Sequence, residues 1–267
     1  MYNRSIKAFL FRGVLPVCLW VFCLLALPIG AQTPRLATSY ISRGNSSYEE
    51  GKFADAISDY EAALAFAPDS VTALTNRGAA RLECGDIDGA IADFSAALKI
   101  NPRLAQAYCN RGSALTSLRR FEEALDDFDR AIKLYPRYAL AYYDRGTARL
   151  AFGRPNDAIK DFDTAIEIKP GYYQAFNNRG TVWFTFGDLD RAVEDFDRAL
   201  ALNPAYVPAR GNRCLVRLIQ GRNDEARLDC EAAVRQDPSF RTTLEKQIEG
   251  LRVSGRLKGQ GADKEMR

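Results

Sequence analysis

A proline recurs every 34 residues, at Pro68, Pro102, Pro136, Pro170, Pro204 and Pro238, with no insertion or deletion between copies. Loops between independent elements would drift in length, so a period this strict means that one supersecondary unit is written six times. Numbered from Ala37, the unit carries its proline at the thirty-second place. The eighth place holds Gly44, Gly78, Gly112, Gly146, Gly180 and Cys214, and the twentieth holds Ala56, Ala90, Ala124, Ala158, Ala192 and Ala226. An aromatic stands twenty-fourth (Tyr60, Phe94, Phe128, Phe162, Phe196), replaced by Cys230 in the last copy, and alanine stands twenty-seventh from Ala63 to Ala233.

Within each unit the apolar residues fall at helical spacing, and a glycine at the fifteenth place (Gly51, Gly85, Gly153, Gly187, Gly221) separates two such runs. Glycine takes the left-handed conformation that closes a helix, so each unit reads as helix, tight turn, helix. Arg119 stands at that place in the third unit, with nothing in the sequence to compensate. Pro155 falls at the start of a second helix, where its missing N–H is harmless. The six periodic prolines follow the second helix and stop it. Small residues let the two backbones approach, and the twenty-fourth-place ring fills the gap beside Tyr40, Leu74, Tyr108, Tyr142 and Phe176 of the fourth place.

Small, small, aromatic, small and proline at these offsets resemble the tetratricopeptide repeat, here in its Asn-Arg-Gly form (Asn76-Arg77-Gly78, Asn110-Arg111-Gly112, Asn178-Arg179-Gly180). The resemblance spans 37–240 as six units: 37–70, 71–104, 105–138, 139–172, 173–206 and 207–240. It implies an all-α, right-handed superhelical solenoid in which neighbouring hairpins share their apolar faces. Residues 241–252, with Leu244, Ile248 and Leu251 on one face, are expected to form a C-terminal capping helix. Residues 253–267, rich in glycine and charge, are expected to be a disordered tail.

Ahead of the repeats, Arg4, Lys7 and Arg12 precede an apolar run from Val14 to Ile29 that ends in Gly30-Ala31-Gln32, the order of a secretory signal. At roughly 20 residues per crossing the run is short for a membrane span, and Pro16 and Pro28 interrupt it. Residues 1–31 are therefore read as a signal peptide cleaved after Ala31, and 32–36 as an exposed leader. The protein would then be exported, periplasmic or secreted, with no membrane span after removal of the signal; the alternative is inner-membrane anchoring by residues 14–29. The formal charge of +3 comes from those three leading cations, so the remainder carries 34 basic and 34 acidic side chains. Such neutrality lacks the excess that phosphate backbones require, and no nucleic acid is expected as a partner.

Arginine recurs at the seventh place and aspartate at the twenty-third, which reads as an ion pair between first and second helices, within a unit or across to its neighbour. Acidic runs such as Asp126-Asp127-Phe128-Asp129 lie inside helical periodicity and lack a glycine-punctuated loop, so no metal site is expected. The chain has no histidine and no phosphate-binding glycine loop, so neither an enzyme nor a cofactor is expected. Cys214 and Cys230 replace the glycine and the aromatic of the last unit; they read either as a disulfide joining its helices or as two buried thiols. Cys84 and Cys109 read as too far apart to bond.

The resemblance also implies that first helices line a concave groove. Their sixth place reads Ser42, Asn76, Asn110, Asp144, Asn178 and Asn212. An amide can donate to a carbonyl and accept from an N–H, so a row of them can hold an extended peptide by its backbone. The row resembles the asparagine ladder of O-linked N-acetylglucosamine transferases, without their catalytic half. These asparagines could instead satisfy neighbouring helices. Chaperone-binding relatives hold a carboxylate with cations, whereas the corresponding stations here read Ile41, Asn45, Asn76, Gln106 and Asn110, with all three cations missing. The expected peptide-binding residues are Asn76, Asn110, Asp144, Asn178 and Asn212 with Tyr143, Thr181 and Phe184. The expected function is a non-enzymatic scaffold holding an extended peptide segment of a partner protein. The alternative is a structural subunit of a cell-envelope assembly that docks through its convex face or termini.

Overall fold

The computed structural model describes residues 29–257, and among these every regular element is an α-helix. Most of the signal reading, including the anchor alternative, lies outside the described residues. The chain divides into two compact units after Asp86, so the two helices of the 71–104 repeat belong to different units.

The first unit contains α1 (Ile29–Glu49), α2 (Phe53–Phe66) and α3 (Val71–Glu83). Helix α1 runs back through 32–36 and contains Pro34, so the segment read as a leader is helical, with Pro34, Arg35 and Leu36 exposed. Buried Ala56 and Tyr60 of α2 pack with Ala80 of α3 and with Ile41 and Tyr48 of α1.

The second unit begins with α4 (Ile87–Ile100). Four hairpins follow: α5 (Ala105–Ser117) with α6 (Phe121–Leu134), and α7 (Ala139–Ala151) with α8 (Pro155–Ile168); then α9 (Tyr173–Phe186) with α10 (Leu189–Leu202), and α11 (Val207–Ile219) with α12 (Asn223–Gln236). Helix α13 (Phe240–Val253) closes the series. Within this unit each helix packs on the next along the chain, and first helices also meet across hairpins, as in α5 with α7 and α9 with α11.

The repeating columns now have a physical reason. A Cβ added to Gly112, Gly146 or Gly180 would lie 2.8 to 2.9 Å from the ring of Phe128, Phe162 or Phe196, so the glycine is what lets the ring sit between the helices. Those rings are fully buried. In the last hairpin the same two stations hold Cys214 and Cys230, which meet as a disulfide with Cα atoms 5.5 Å apart. Cys84 and Cys109 are free thiols, one exposed and one buried.

The fifteenth-place glycines have φ between 73° and 83°, and Arg119 adopts the same left-handed turn with φ 59°. Its guanidinium lies 5.5 Å from the centroid of the Phe121 ring, a contact that partly offsets the strain.

The seventh and twenty-third places pair within a hairpin. Arg111, Arg145, Arg179 and Arg213 each donate through Nε and one terminal nitrogen to Asp127, Asp161, Asp195 and Asp229, a bidentate fork onto a buried carboxylate. Arg43 also donates to Asp59 through Nε and one terminal nitrogen, but both reach the same oxygen, Oδ1. In the four forks from Arg111 to Arg213 the other terminal nitrogen reaches the preceding second helix, on Ser95 of α4, Asp129 of α6, Asp163 of α8 and Asp197 of α10 respectively. One arginine thus ties a hairpin together and also ties it to its neighbour. The fourth-place ring lies under the guanidinium in several units, 4.9 Å away for Arg43 on Tyr40 and 5.5 Å for Arg179 on Phe176, which helps hold the fork in place.

The end of the array is covered by α13. Leu244, Ile248 and Leu251 are buried against Leu215, Leu218 and Cys230. Gly211 makes room for the Phe240 ring, which lies 2.5 Å from where a Cβ would stand. Residues 254–257 then turn back onto α9: Arg256 donates to the Phe184 carbonyl at 3.0 Å, and Leu257 joins the α11–α13 core. The rest of the expected tail, 258–267, lies outside the described residues.

Candidate binding face on the first helices

The sixth-place side chains stand on first helices, one per repeat. In the first unit, Asn76 donates to Asn45 Oδ1 at 2.8 Å, and the same oxygen accepts from the Tyr60 hydroxyl. In the second unit, Asn110 makes no side-chain hydrogen bond among the described residues. The remaining three form one bridging pattern. Asn178 Nδ2 donates to the Tyr143 hydroxyl oxygen at 3.1 Å and to Thr147 Oγ1 at 3.5 Å, so α9 is tied to α7. Asn212 Nδ2 donates to Asn177 Oδ1 at 3.0 Å and to Thr181 Oγ1 at 3.3 Å, tying α11 to α9. At the corresponding place in α7, Asp144 Oδ2 accepts from Ser113 Oγ at 3.0 Å and Cys109 Sγ at 3.5 Å, both on α5.

Each rung therefore reaches back to the fifth and ninth places of the preceding repeat. Both N–H groups of Asn178 and of Asn212 are spent on neighbouring helices. What these amides keep available is oxygen: Asn212 Oδ1 is unused among the described residues, and Asn178 Oδ1 has one bond, from Asn177 at 3.1 Å. The Tyr143 hydroxyl, which accepts from Asn178, retains its own proton to donate. The face is thus richer in acceptors than a row of free amides would be.

Tyrosines surround it. Tyr143 and Tyr172 have ring centroids 4.9 Å apart, and Tyr173 meets Tyr206 edge-on at 4.8 Å. Tyr138, Tyr172 and Tyr206 are the residues that immediately precede α7, α9 and α11. Sequence reasoning missed them and Tyr173; the available signal was tyrosine at the thirty-fourth place in three successive repeats. Burial pushes the Tyr206 hydroxyl up to about 12; burial also raises Tyr138, together with the neighbouring Cys109, and Tyr172, together with the Asp144 charge. Burial also moves Asp144 up to about 6, against the opposing hydrogen bonds from Ser113 and Cys109. The Cys109 thiol, buried beside that carboxylate, is held well above its ordinary value and is no nucleophile.

Of the other expected residues, Thr181 belongs to the rung from Asn212. Phe184 is partly covered by the chain itself, with the Arg256 guanidinium 4.8 Å from its ring centroid. No group of three or more metal-ligating side chains is found among the described residues.

Comparison with known proteins agrees with this architecture. Tetratricopeptide repeat families match residues 105–138, 143–207 and 177–239, and a TPR repeat family matches 44–83 and 78–118. The chain belongs to the tetratricopeptide repeat family. Among solved structures it is similar to MamA, at 30% identity over 60% of this chain and 94% of that one, with a TM-score of 0.54. It shares its fold with pilF of Pseudomonas aeruginosa, at 18% identity over 82% of this chain and 99% of that one, with a TM-score of 0.70. It shares it also with YrrB, described as a TPR protein with an unusual peptide-binding site, at 19% identity over 72% and 98% of the two chains and a TM-score of 0.53. A search of curated proteins finds no match to the chain. Tetratricopeptide repeat proteins are protein-interaction scaffolds, generally without enzymatic activity of their own. Among the described residues no helix is long and apolar enough to cross a membrane.

Proposed function

We propose that this tetratricopeptide repeat protein is a non-enzymatic, exported scaffold that holds an extended segment of a partner protein along the face formed by α5, α7, α9 and α11. The observation that carries the reading is the bridged row of Asp144, Asn178 and Asn212 between adjacent first helices. Side chains already fixed by their neighbours lose little further entropy when a ligand arrives, and their remaining oxygens can accept from backbone N–H groups of an extended strand. Tyrosine rings beside the row supply rigid apolar area with polar tips, the combination favoured where peptides dock. Export rests on the basic and apolar leading segment, and pairing of Cys214 with Cys230 fits an oxidising compartment.

The test is capture of partners by the protein purified from residue 32 onward, followed by affinity measurement on the captured partners. Replacing Asn110, Asn178 and Asn212 together with alanine is expected to weaken binding at least tenfold. Unchanged affinity for every partner would show that this face is idle.

A further inference from the structure

Asp144, half-buried, differs from the buried carboxylates with assigned partners. Asp59, Asp127, Asp161, Asp195 and Asp229 each hold an arginine. Asp144 has a hydroxyl and a thiol, and among the described residues no lysine or arginine bonds to it. A partly desolvated carboxylate without a cation is an unfavourable arrangement, relieved when a positive charge arrives. Its neighbour Arg145 cannot supply that charge, because the guanidinium is shared between Asp161 and Asp129. Lys169 is engaged 4.6 Å from the centroid of the Tyr172 ring and forms no ion pair with Asp144.

We infer that Asp144 is the anchor for a lysine or arginine side chain of the bound segment, received beside the rings of Tyr143 and Tyr172. This rests on the peptide-holding reading above and deepens it, by naming the residue class that the face selects. The geometry suits a cation in three respects. Among the described residues the hydrogen-bond partners of the carboxylate are Ser113 and Cys109 of α5, both on Oδ2, so Oδ1 carries no bond there. Tyr138, Tyr143 and Tyr172 are all close enough to feel its charge, and tyrosine faces attract cations. The chain already seats one of its own basic residues on an aromatic of these first helices, in Arg256 over Phe184. The sixth place in the other repeats is serine or asparagine, so this preference belongs to one station and fixes the register of the segment.

The experiment uses the chain from residue 32 onward and three labelled peptides of one Gly-Ser-Ala sequence, with a central lysine, arginine or norleucine, read by fluorescence anisotropy. The lysine and arginine peptides are expected to bind at least tenfold more tightly than the norleucine peptide. Asp144→Asn is expected to bring the three peptides to equal affinity, and thermal unfolding of the variant confirms that it is folded. Lowering the pH from 7.5 to 5 is expected to erase the preference in the native protein, because the groups around the carboxyl are a hydroxyl, a thiol and tyrosines, none of which changes charge there. Equal binding of all three peptides, or a preference that survives Asp144→Asn, overturns the anchor while leaving the peptide-holding reading intact. Absence of binding by every peptide overturns both.

Discussion

At the residue scale, the cost of Asp144 is measurable without any ligand. Its carboxyl sits near 6 in the folded chain against 3.8 ordinarily, so the folded state holds the proton more tightly than the unfolded one. Stability therefore rises as pH falls from about 6 toward about 4, and at neutral pH the half-buried charge opposes folding. Asp144→Asn is expected to raise stability at pH 7 by about 1 to 2 kcal/mol and to flatten the pH dependence between 4 and 6, as read by urea unfolding at several pH values. Arg119 is a second residue working against the fold. A left-handed backbone costs a side-chain-bearing residue about 1 to 2 kcal/mol. Arg119→Gly removes that strain and also the contact with Phe121, so a net gain of about 0.5 to 1 kcal/mol is expected in the same assay. The turn at Arg119 was legible from its place in the period. The ring that supports it was not, because Phe121 reads simply as the first apolar residue of the next helix.

At the element scale, the arginine forks account for how one hairpin is locked to the next, and their two arms should differ in worth. Asp161 is almost wholly buried and accepts from both Arg145 and Arg149, whereas the side chain of Asp129 is 59% exposed. Asp161→Ala leaves two guanidinium groups facing an empty site and is expected to cost about 3 to 5 kcal/mol. Asp129→Ala is expected to cost less than about 1 kcal/mol, since an exposed pair contributes little. Denaturant unfolding of the two variants measures the difference directly. The recurrence of Arg and Asp made an interhelical pair readable from the sequence, but not which hairpin each nitrogen serves, since both candidates lie 16 residues away, one on each side. The amide row has the same history. Its residues were visible as a column, yet the spending of their N–H groups on the preceding first helix depends on distances that a column does not contain. The all-α helical pairing was legible because proline, glycine and alanine each impose a backbone requirement at a fixed offset. Side-chain networks carry no such requirement, so Asp144 with Ser113 and Cys109 emerged only in three dimensions.

At the scale of the whole molecule, a repeat array has no single core, and each hairpin depends on what covers its open face. In the second unit the final cover is α13, whose Leu244, Ile248 and Leu251 are buried on α11 and α12, with Phe240 seated over Gly211. Ending the chain at Pro238 would expose Leu215 and Leu218 to water, at roughly 1.5 to 3 kcal/mol for each side chain. The disulfide between Cys214 and Cys230 would persist and keep α11 and α12 linked, so the hairpin should loosen without coming apart. Interior hairpins keep their neighbours and should be little affected, because stability in such arrays is a sum of local and nearest-neighbour contributions. Hydrogen exchange on the truncated chain is therefore expected to lose protection across 207–236 while 139–168 remains as protected as in the intact chain. The truncation also removes Arg256 from Phe184, so exchange in the last turn of α9 should rise as well. Uniform loss of protection across the second unit would mean that it unfolds as one cooperative block, and the nearest-neighbour account of its stability would be wrong.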